Sequence, residues 1–215
     1  MNNNQFIIDF FNKNSVYEVG FAKVDASLPY AISVVIPLSQ FVIEQITDEP
    51  TYEYFHHYKS VNAFIDNVLL KAGLEIGNLG YKYLCVGASH SVGEYKGYFP
   101  HKTAANSAGL GFIGKNAMFI SENYGSAVRL GTILTDMPFE TGKPLQKDCG
   151  DCNICKNVCP AMAIRGVNYH EDIKREDMFD AQACSQHMKK AYQHIGRGVV
   201  CGLCIRNCKY FKKEL

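Results

Sequence analysis

Cys149-Gly150-Asp151-Cys152-Asn153-Ile154-Cys155-Lys156-Asn157-Val158-Cys159-Pro160 sets four cysteines at steps of three, three and four and closes on proline. That is the bacterial run that holds a [4Fe-4S] cluster. A second, broken run follows: Cys184, then Cys201, Cys204 and Cys208. Two sets of four thiolates are therefore available for two cubane clusters, and the chain is expected to move electrons.

In two-cluster ferredoxins the last cysteine of each run crosses to the other cluster. On that arithmetic cluster one takes Cys149, Cys152, Cys155 and Cys208, and cluster two takes Cys201, Cys204, Cys184 and the crossing Cys159. Such crossing ties both ends of the segment together, and the bonds to iron cross-link a module too small to stand on an apolar core alone.

Zinc sites show separated pairs of cysteines rather than three at steps of three before a fourth and a proline. Disulfides are not expected either, because the chain opens Met-Asn-Asn-Asn-Gln-Phe, without the basic and apolar segment that directs export to an oxidising compartment. A cytoplasmic location follows as an expectation. Cys85, in the apolar run Tyr83-Leu84-Cys85-Val86, reads as a small core residue.

Composition fits one proper core with a small module appended: 215 residues, 47% hydrophobic. The longest apolar stretch, Ala31 to Val42, is broken by Pro37. It falls short of the ~18 to 20 residues that cross a bilayer, so no membrane partner is expected. Residues 149 to 215 hold 11 Lys+Arg against 7 Asp+Glu, and residues 1 to 148 hold 11 against 14. A mildly basic module suits an acidic electron donor, and an excess this small gives little reason to expect tRNA.

The fold class expected is α+β. Residues 3 to 13 place Phe6, Ile7, Phe10 and Phe11 at helical spacing, and Tyr17 to Val24 and Tyr30 to Pro37 read as strands, the second buried on both faces. From Pro50 to Ile76 apolar residues recur at steps of three and four, which predicts a long helix ended by Gly77 and Gly80. Tyr81 to Gly87 predicts a strand and residues 88 to 100 a long functional loop. His101 to Ala108 reads as a helix, and Ala117 to Ser121 and Ala127 to Thr135 as further strands. Pro138, Gly142 and Pro144 mark a connector, so the first domain is set at residues 1–140 and the second at 141–215.

Gly109, Gly111 and Gly114 fall within six residues and are followed by Lys115 and Asn116. The glycines permit positive φ or close approach, and Lys115 places a cation beside exposed amides, which makes the five candidates for binding a cofactor. A phosphate loop is disfavoured, since Asn116 stands where Ser or Thr is needed and a helix, not a strand, precedes.

Ala108-Gly109-Leu110-Gly111-Phe112-Ile113-Gly114-Lys115-Asn116, the strand ending Gly131-Thr132-Ile133-Leu134-Thr135, and the eight-cysteine module together resemble epoxyqueuosine reductase. The resemblance covers most of the chain. It implies a nitroreductase-like, cobalamin-binding domain followed by a bacterial-ferredoxin-like domain with two [4Fe-4S] clusters. It further implies a relationship to the reductive dehalogenases and reduction of an epoxide in tRNA modification. Phe112 replaces the family's usual Trp and Lys209 its usual Pro. The loop aspartate that the family uses as proton donor has no convincing counterpart, Glu94 being the one carboxylate between Gly93 and Asn106. The chain ends at Leu215, where many members continue into a helical-repeat extension.

The resemblance therefore implies an iron-sulfur reductase in which two clusters feed a corrinoid that reduces a modified nucleoside or another small electrophile, with a ferredoxin or flavodoxin as donor. An electron carrier that reduces a bound corrinoid or flavin, or a partner corrinoid protein, is the other reading. Tyr95 and Tyr98 are the candidate proton donors, flanked by Lys96 and Lys102, with Glu94 beside them. His90 and His101 are near by in sequence. His56 and His57 diverge by ~100° on a helix and do not face one site.

Overall fold

The protein is described here from a computed structural model covering residues 2–211. In chain order the elements are α1 (Asn3–Lys13), β1 (Glu18–Lys23), β2 (Tyr30–Pro37), α2 (Gln40–Glu44), α3 (Tyr52–Asn78) and β3 (Tyr83–Val86). There follow β4 (Ser91–Gly93), β5 (Lys96–Gly97), α4 (His101–Ser107), β6 (Gly111–Ile113), β7 (Phe119–Ser121) and β8 (Val128–Thr135). The cysteine segment holds α5 (Ile154–Asn157), α6 (Arg175–Met178), α7 (Ala181–Tyr192) and α8 (Leu203–Arg206). The architecture is mixed α/β around a four-stranded sheet of order β1-β2-β8-β3.

Two compact units divide the chain, and each is made of three separate stretches. The first holds the residues up to Ile36, Ser60–Phe112 and Arg129–Leu145; the second holds Pro37–Lys59, Ile113–Val128 and the residues from Gln146 on. The single break at residue 140 expected from the connector thus gives way to interleaved units. Short local patterns carry no sign of bonds such as Leu38 N to Ala127 O (2.8 Å) and Ser126 Oγ to Ile205 O (2.9 Å), which gather distant stretches into the second unit.

In the first unit, Asn2 caps α1 by accepting from the backbone N–H of Asn4 and Gln5, and the helix buries Ile7 and Phe11, one turn apart. β1 and β2 pair antiparallel from Glu18 opposite Val35 to Lys23 opposite Tyr30. Six of the eight β2 residues are buried, as a strand covered on both faces requires. The α3 residues Ile65, Val68, Leu69, Ala72 and Ile76 join Ile7, Phe11, Ile32 and Ile133 in one apolar core.

Gly77 does not end α3, as expected from sequence, but lies inside it. A Cβ at Gly73 would stand 2.5 Å from the Tyr83 ring and one at Gly77 3.0 Å away, so the two glycines clear a seat for that ring. The helix closes at Gly80, whose φ of +87° allows Gly80 N to reach Gly77 O and Tyr81 N to reach Ile76 O.

The loop expected over residues 88 to 100 contains a hairpin, β4 and β5, paired Gly93 to Lys96. Its two central residues, Glu94 and Tyr95, have φ of 48° and 59°, the geometry that favours Asn-Gly at a two-residue turn.

The second unit is built from short helices with small apolar clusters. Ile113, Ala117 and Met178 form one, and Tyr192, Ile195 and Val199 form another, with Phe55 packed on it. α2 follows a turn in which Ser39 N–H donates to His57 Nε2 at 2.9 Å. Among the described residues no helix is long and apolar enough to cross a membrane.

Candidate metal centre

Tight turns and helices present the cysteines of the second unit. Gly150, at φ +55°, donates to Asp148 Oδ1 at 2.6 Å and Cys152 N reaches Cys149 O at 3.2 Å, which folds the first two cysteines back on each other. Cys155 sits on α5. Gly202, at φ +78°, opens α8 and leaves Cys201, Cys204 and Cys208 around that helix, while Cys184 lies in the first turn of α7.

These turns bring the sulfurs into two groups. The Cys155 thiol is raised first by burial and then by the nearby thiols of Cys149, Cys208 and Cys152, and Cys208 responds to Cys149 and Cys152 in the same way. All four line one pocket, together with Lys115 and Asn116. Cys184 is raised by burial and by Cys159 and Cys201, and Cys204 by burial and by Cys201, Cys184, Cys155 and Cys159. Among the described residues no three His, Cys, Asp or Glu side chains close on a single ion-sized point. One zinc ion would need sulfurs ~2.3 Å from a common centre, whereas an iron-sulfur cube takes one thiolate at each iron.

Burial pushes the Cys155 and Cys184 thiols up to about 11 and raises Cys149, Cys201, Cys204 and Cys208 as well. Such thiols stay protonated near neutrality unless a metal displaces the proton. Backbone N–H groups already aim at the sulfurs: Lys115 at Cys149, Lys156 at Cys155, Leu203 at Cys201, Tyr210 at Cys208, and Ala163 at Cys159 over 3.4 Å.

Lys115 and Asn116 are the central residues of a turn in which Ala117 N bonds Gly114 O at 2.8 Å and Gly114 N bonds Met118 O at 2.9 Å. Lys115 is 5% exposed. Among the described residues its ammonium has Asn153 Oδ1 at 3.4 Å and no carboxylate in salt-bridge range. A buried cation bonded only to a neutral amide requires an anion near by. The pocket it lines with four cysteines would supply one, because a cube ligated by four thiolates carries net negative charge, so the residues present fit a [4Fe-4S] cluster. Asn116 Oδ1 accepts from Met118 N at 3.1 Å and its amide donates to Cys204 O at 3.4 Å.

The glycines beside Lys115 pack against the protein itself. Gly109 has φ +77° and a Cβ there would stand 2.6 Å from Lys143 O; at Gly114 it would stand 2.7 Å from Ile120 Cδ1; Gly111 is buried at the start of β6. Tyr192, which the cysteine spacing does not point to, is buried and donates its hydroxyl to Cys201, with His187 Nε2 3.4 Å behind it. Its place two turns after Cys184 on α7 was the one available signal, since residues eight apart share a helix face.

In the first unit Glu94 and Tyr95 occupy the exposed hairpin turn. Tyr98 stacks on His90 with centroids 5.4 Å apart and lines a pocket with Lys23, Asp25, Ser27 and Thr103. His101 is enclosed in that unit, its ring bonded to Thr132 and Gly87. Cys85 is half-buried and donates to Leu69 O at 3.2 Å, a core position as expected.

Among the described residues, the chain joins a mixed α/β fold to eight cysteines gathered in the second unit. No model of a protein family matches it. The chain is similar in sequence to epoxyqueuosine reductases. That of Lactococcus garvieae is 32% identical over 117 residues, which is 50% of this chain and 31% of the relative. In fold it is similar to the epoxyqueuosine reductase of Streptococcus thermophilus (TM-score 0.65, 19% identity, 98% of this chain and 66% of that one). It is also similar to a reductive dehalogenase whose structure was used to argue a mechanism for B12-dependent dehalogenation (TM-score 0.78, 16% identity, 98% and 32%). The aligned region thus spans about a third of the length of the Lactococcus relative.

Proposed function

We propose that this protein is an iron-sulfur oxidoreductase that carries two [4Fe-4S] clusters and uses them to reduce a corrinoid-dependent reaction centre acting on an electrophilic substrate. The observation that carries the reading is the gathering of eight thiols into two groups of four, one of them facing the buried Lys115. Cys149, Cys152, Cys155 and Cys208 hold cluster one; Cys159, Cys184, Cys201 and Cys204 hold cluster two. The second unit is then ferredoxin-like and the first nitroreductase-like, in keeping with the relatives' likeness.

A corrinoid, when bound, supplies a low-potential centre for reduction of the substrate. Its presence is proposed from the resemblance to epoxyqueuosine reductases and the B12-dependent dehalogenase, because Gly109 and Gly114 are accounted for by the protein's own packing. The cysteines would hold the clusters that pass electrons from an external donor, and the first unit would supply protons. Tyr98, in its pocket with Lys23, is the proposed proton donor, ahead of the turn residues Tyr95 and Glu94. A low-potential ferredoxin or flavodoxin supplies electrons, and a modified nucleoside or another small electrophile is the substrate.

Anaerobic reconstitution followed by titration with cobalamin tests the reading. The expected result is tight binding with a shift of the corrin spectrum and reduction by a low-potential donor. Intact clusters with no cobalamin binding would overturn the corrinoid reductase and leave an electron carrier that serves a flavin or a partner protein.

A further inference from the structure

One face of the second unit sets cations around an open cavity next to two of the cysteines proposed for cluster two, and we infer that an acidic protein electron donor docks there. The inference rests on the two-cluster reading above and adds to it where the donor binds and what holds it.

Between Cys184 and Cys201 the chain carries Lys189, Lys190 and Arg197, the histidines His187 and His194, and no Asp or Glu. Lys189, Lys190, His194 and Arg197 are exposed, at the end of α7 and in the turn that follows it. A cavity of about 330 Å³ opens at this place, with Met188 and Val199 as its apolar lining and Ser185, Lys189, Gln193 and Arg197 as its polar one. Among the described residues Lys189, Lys190 and Arg197 have no carboxylate in salt-bridge range. Lys59 adds a cation from α3, since its Nζ lies 5.4 Å from the ring of Phe55 and that ring packs on Gly196, in the cavity wall. Met188 and Val199 belong to the small apolar cluster on which Cys201 packs, and Ser185 follows Cys184 directly. The cavity and the second group of thiols thus share one wall.

The carboxylates of the neighbouring elements do not cancel this charge. Asp180 caps the far end of α7, nine residues before Lys189, which is ~13 Å along the axis. Glu53 diverges from Phe55 by ~160° around α3. Asp48 and Glu49 precede that helix, and Glu49 reaches Tyr192, but neither lines the cavity.

An apolar centre with a charged rim is the pattern of a protein interface, and Met188 adapts its shape to a partner. Complementary charge speeds encounter more than it tightens the complex, which suits a partner that must dock, discharge and leave. An RNA is the poorer occupant, because the cavity lining offers no aromatic ring on which a base would stack. The shared wall with Cys184 and Cys201 selects a redox partner instead. One electron leaves the donor, which is oxidised, and one enters the neighbouring cluster, which is reduced.

Stopped-flow reduction of the reconstituted protein by a reduced acidic flavodoxin, and separately by an acidic ferredoxin, tests this. A photoreduced neutral deazaflavin serves as a small reductant that needs no docking surface. The wild-type rate with the protein donors is expected to fall as salt is raised. Lys189→Glu combined with Arg197→Glu should lower that rate by about 10-fold or more at low salt. Iron and sulfide content and the rate with deazaflavin should stay as they are, and Lys189→Arg with Arg197→Lys should keep the wild-type rate. Lys71→Glu, exposed on α3 in the first unit, lowers net charge away from this face and should leave the rate in place. An unchanged rate with both donors in the charge-reversed protein, at full cluster content, would overturn the inference and leave the two-cluster reading intact. If that protein lost retention of an RNA stem-loop instead, the face would belong to a nucleic acid and the inference would fall. Intact clusters that neither donor reduces would also overturn it, and a wild type with no cluster would overturn both readings.

Discussion

His101 Nδ1 lies 2.8 Å from the hydroxyl of Thr132, and its Nε2 lies 3.2 Å from the carbonyl of Gly87. A carbonyl only accepts, so Nε2 carries the proton, and in the neutral ring Nδ1 accepts from the Thr132 hydroxyl. Burial lowers the folded-state value to about 4. The unfolded chain binds the proton first as pH falls, so stability above about pH 6.5 is unaffected and is lost by about 1.4 kcal/mol per unit from there toward about pH 4. His101→Gln keeps a donor for Gly87 and is expected to flatten this slope. Urea midpoints of the two proteins at several pH values check it; parallel slopes would remove His101 as the cause.

On the two-cluster reading, replacing Cys155 with Ala should cost the protein about half its iron and sulfide, since one of the two proposed cubes would lose a ligand. Cys85→Ala, in the core of the first unit, should leave both contents unchanged. Chemical analysis of the reconstituted variants decides the matter, and an unchanged iron content in Cys155→Ala would refute the ligand assignment.

Cluster loading should release protons. Burial holds the thiols of Cys155 and Cys184 up at about 11, so on the two-cluster reading each would become a ligand by losing a proton to solvent. Apparent affinity for iron and sulfide is therefore expected to fall as pH falls through the neutral range. Reconstitution yields measured from about pH 8 to pH 6 would show this, and a flat yield would count against it.

The turn residues Glu94 and Tyr95 hold left-handed backbone that costs non-glycine residues roughly 1 to 2 kcal/mol each. Glu94→Asn combined with Tyr95→Gly should slow hydrogen exchange in the hairpin and leave turnover intact. Tyr98→Phe, by contrast, should lower turnover by about 10²-fold or more. The opposite ranking would return the proton donor to the turn.

At Gly109 a side chain has neither room nor suitable backbone: φ is +77° and Lys143 O stands 2.6 Å from where Cβ would go. Gly109→Ala is expected to destabilise the protein by about 2 kcal/mol or more, read from the urea midpoint, whether or not any cofactor is present.

The long periods in the chain were legible and the short ones were not. Val61, Ile65, Val68 and Ala72 announce α3 because about three turns of one apolar stripe have no other reading, and the unbroken run in β2 announces a covered strand. Strands of two or three residues such as β5 and β6 contain no repeat to detect, and Glu94-Tyr95 lacks the Asn or Gly that would signal its turn. In the candidate site, cysteine spacing marked the proposed donors, because ligand spacing is a local property. Lys115 was visible as a cation among glycines, but its proximity to Cys149 depends on a contact 34 residues away in sequence. Tyr192 looked like any other aromatic on a helix.

The second unit's three separate stretches affect how the protein is made and engineered. No single cut releases the cysteine-bearing part intact, so it cannot be transplanted as a cassette in the manner of a small ferredoxin. On the ribosome, residues 37–59 must wait for cysteines translated at least 90 residues later. On the two-cluster reading proposed above, insertion of the metal is thus deferred until the segment through Cys208 has emerged.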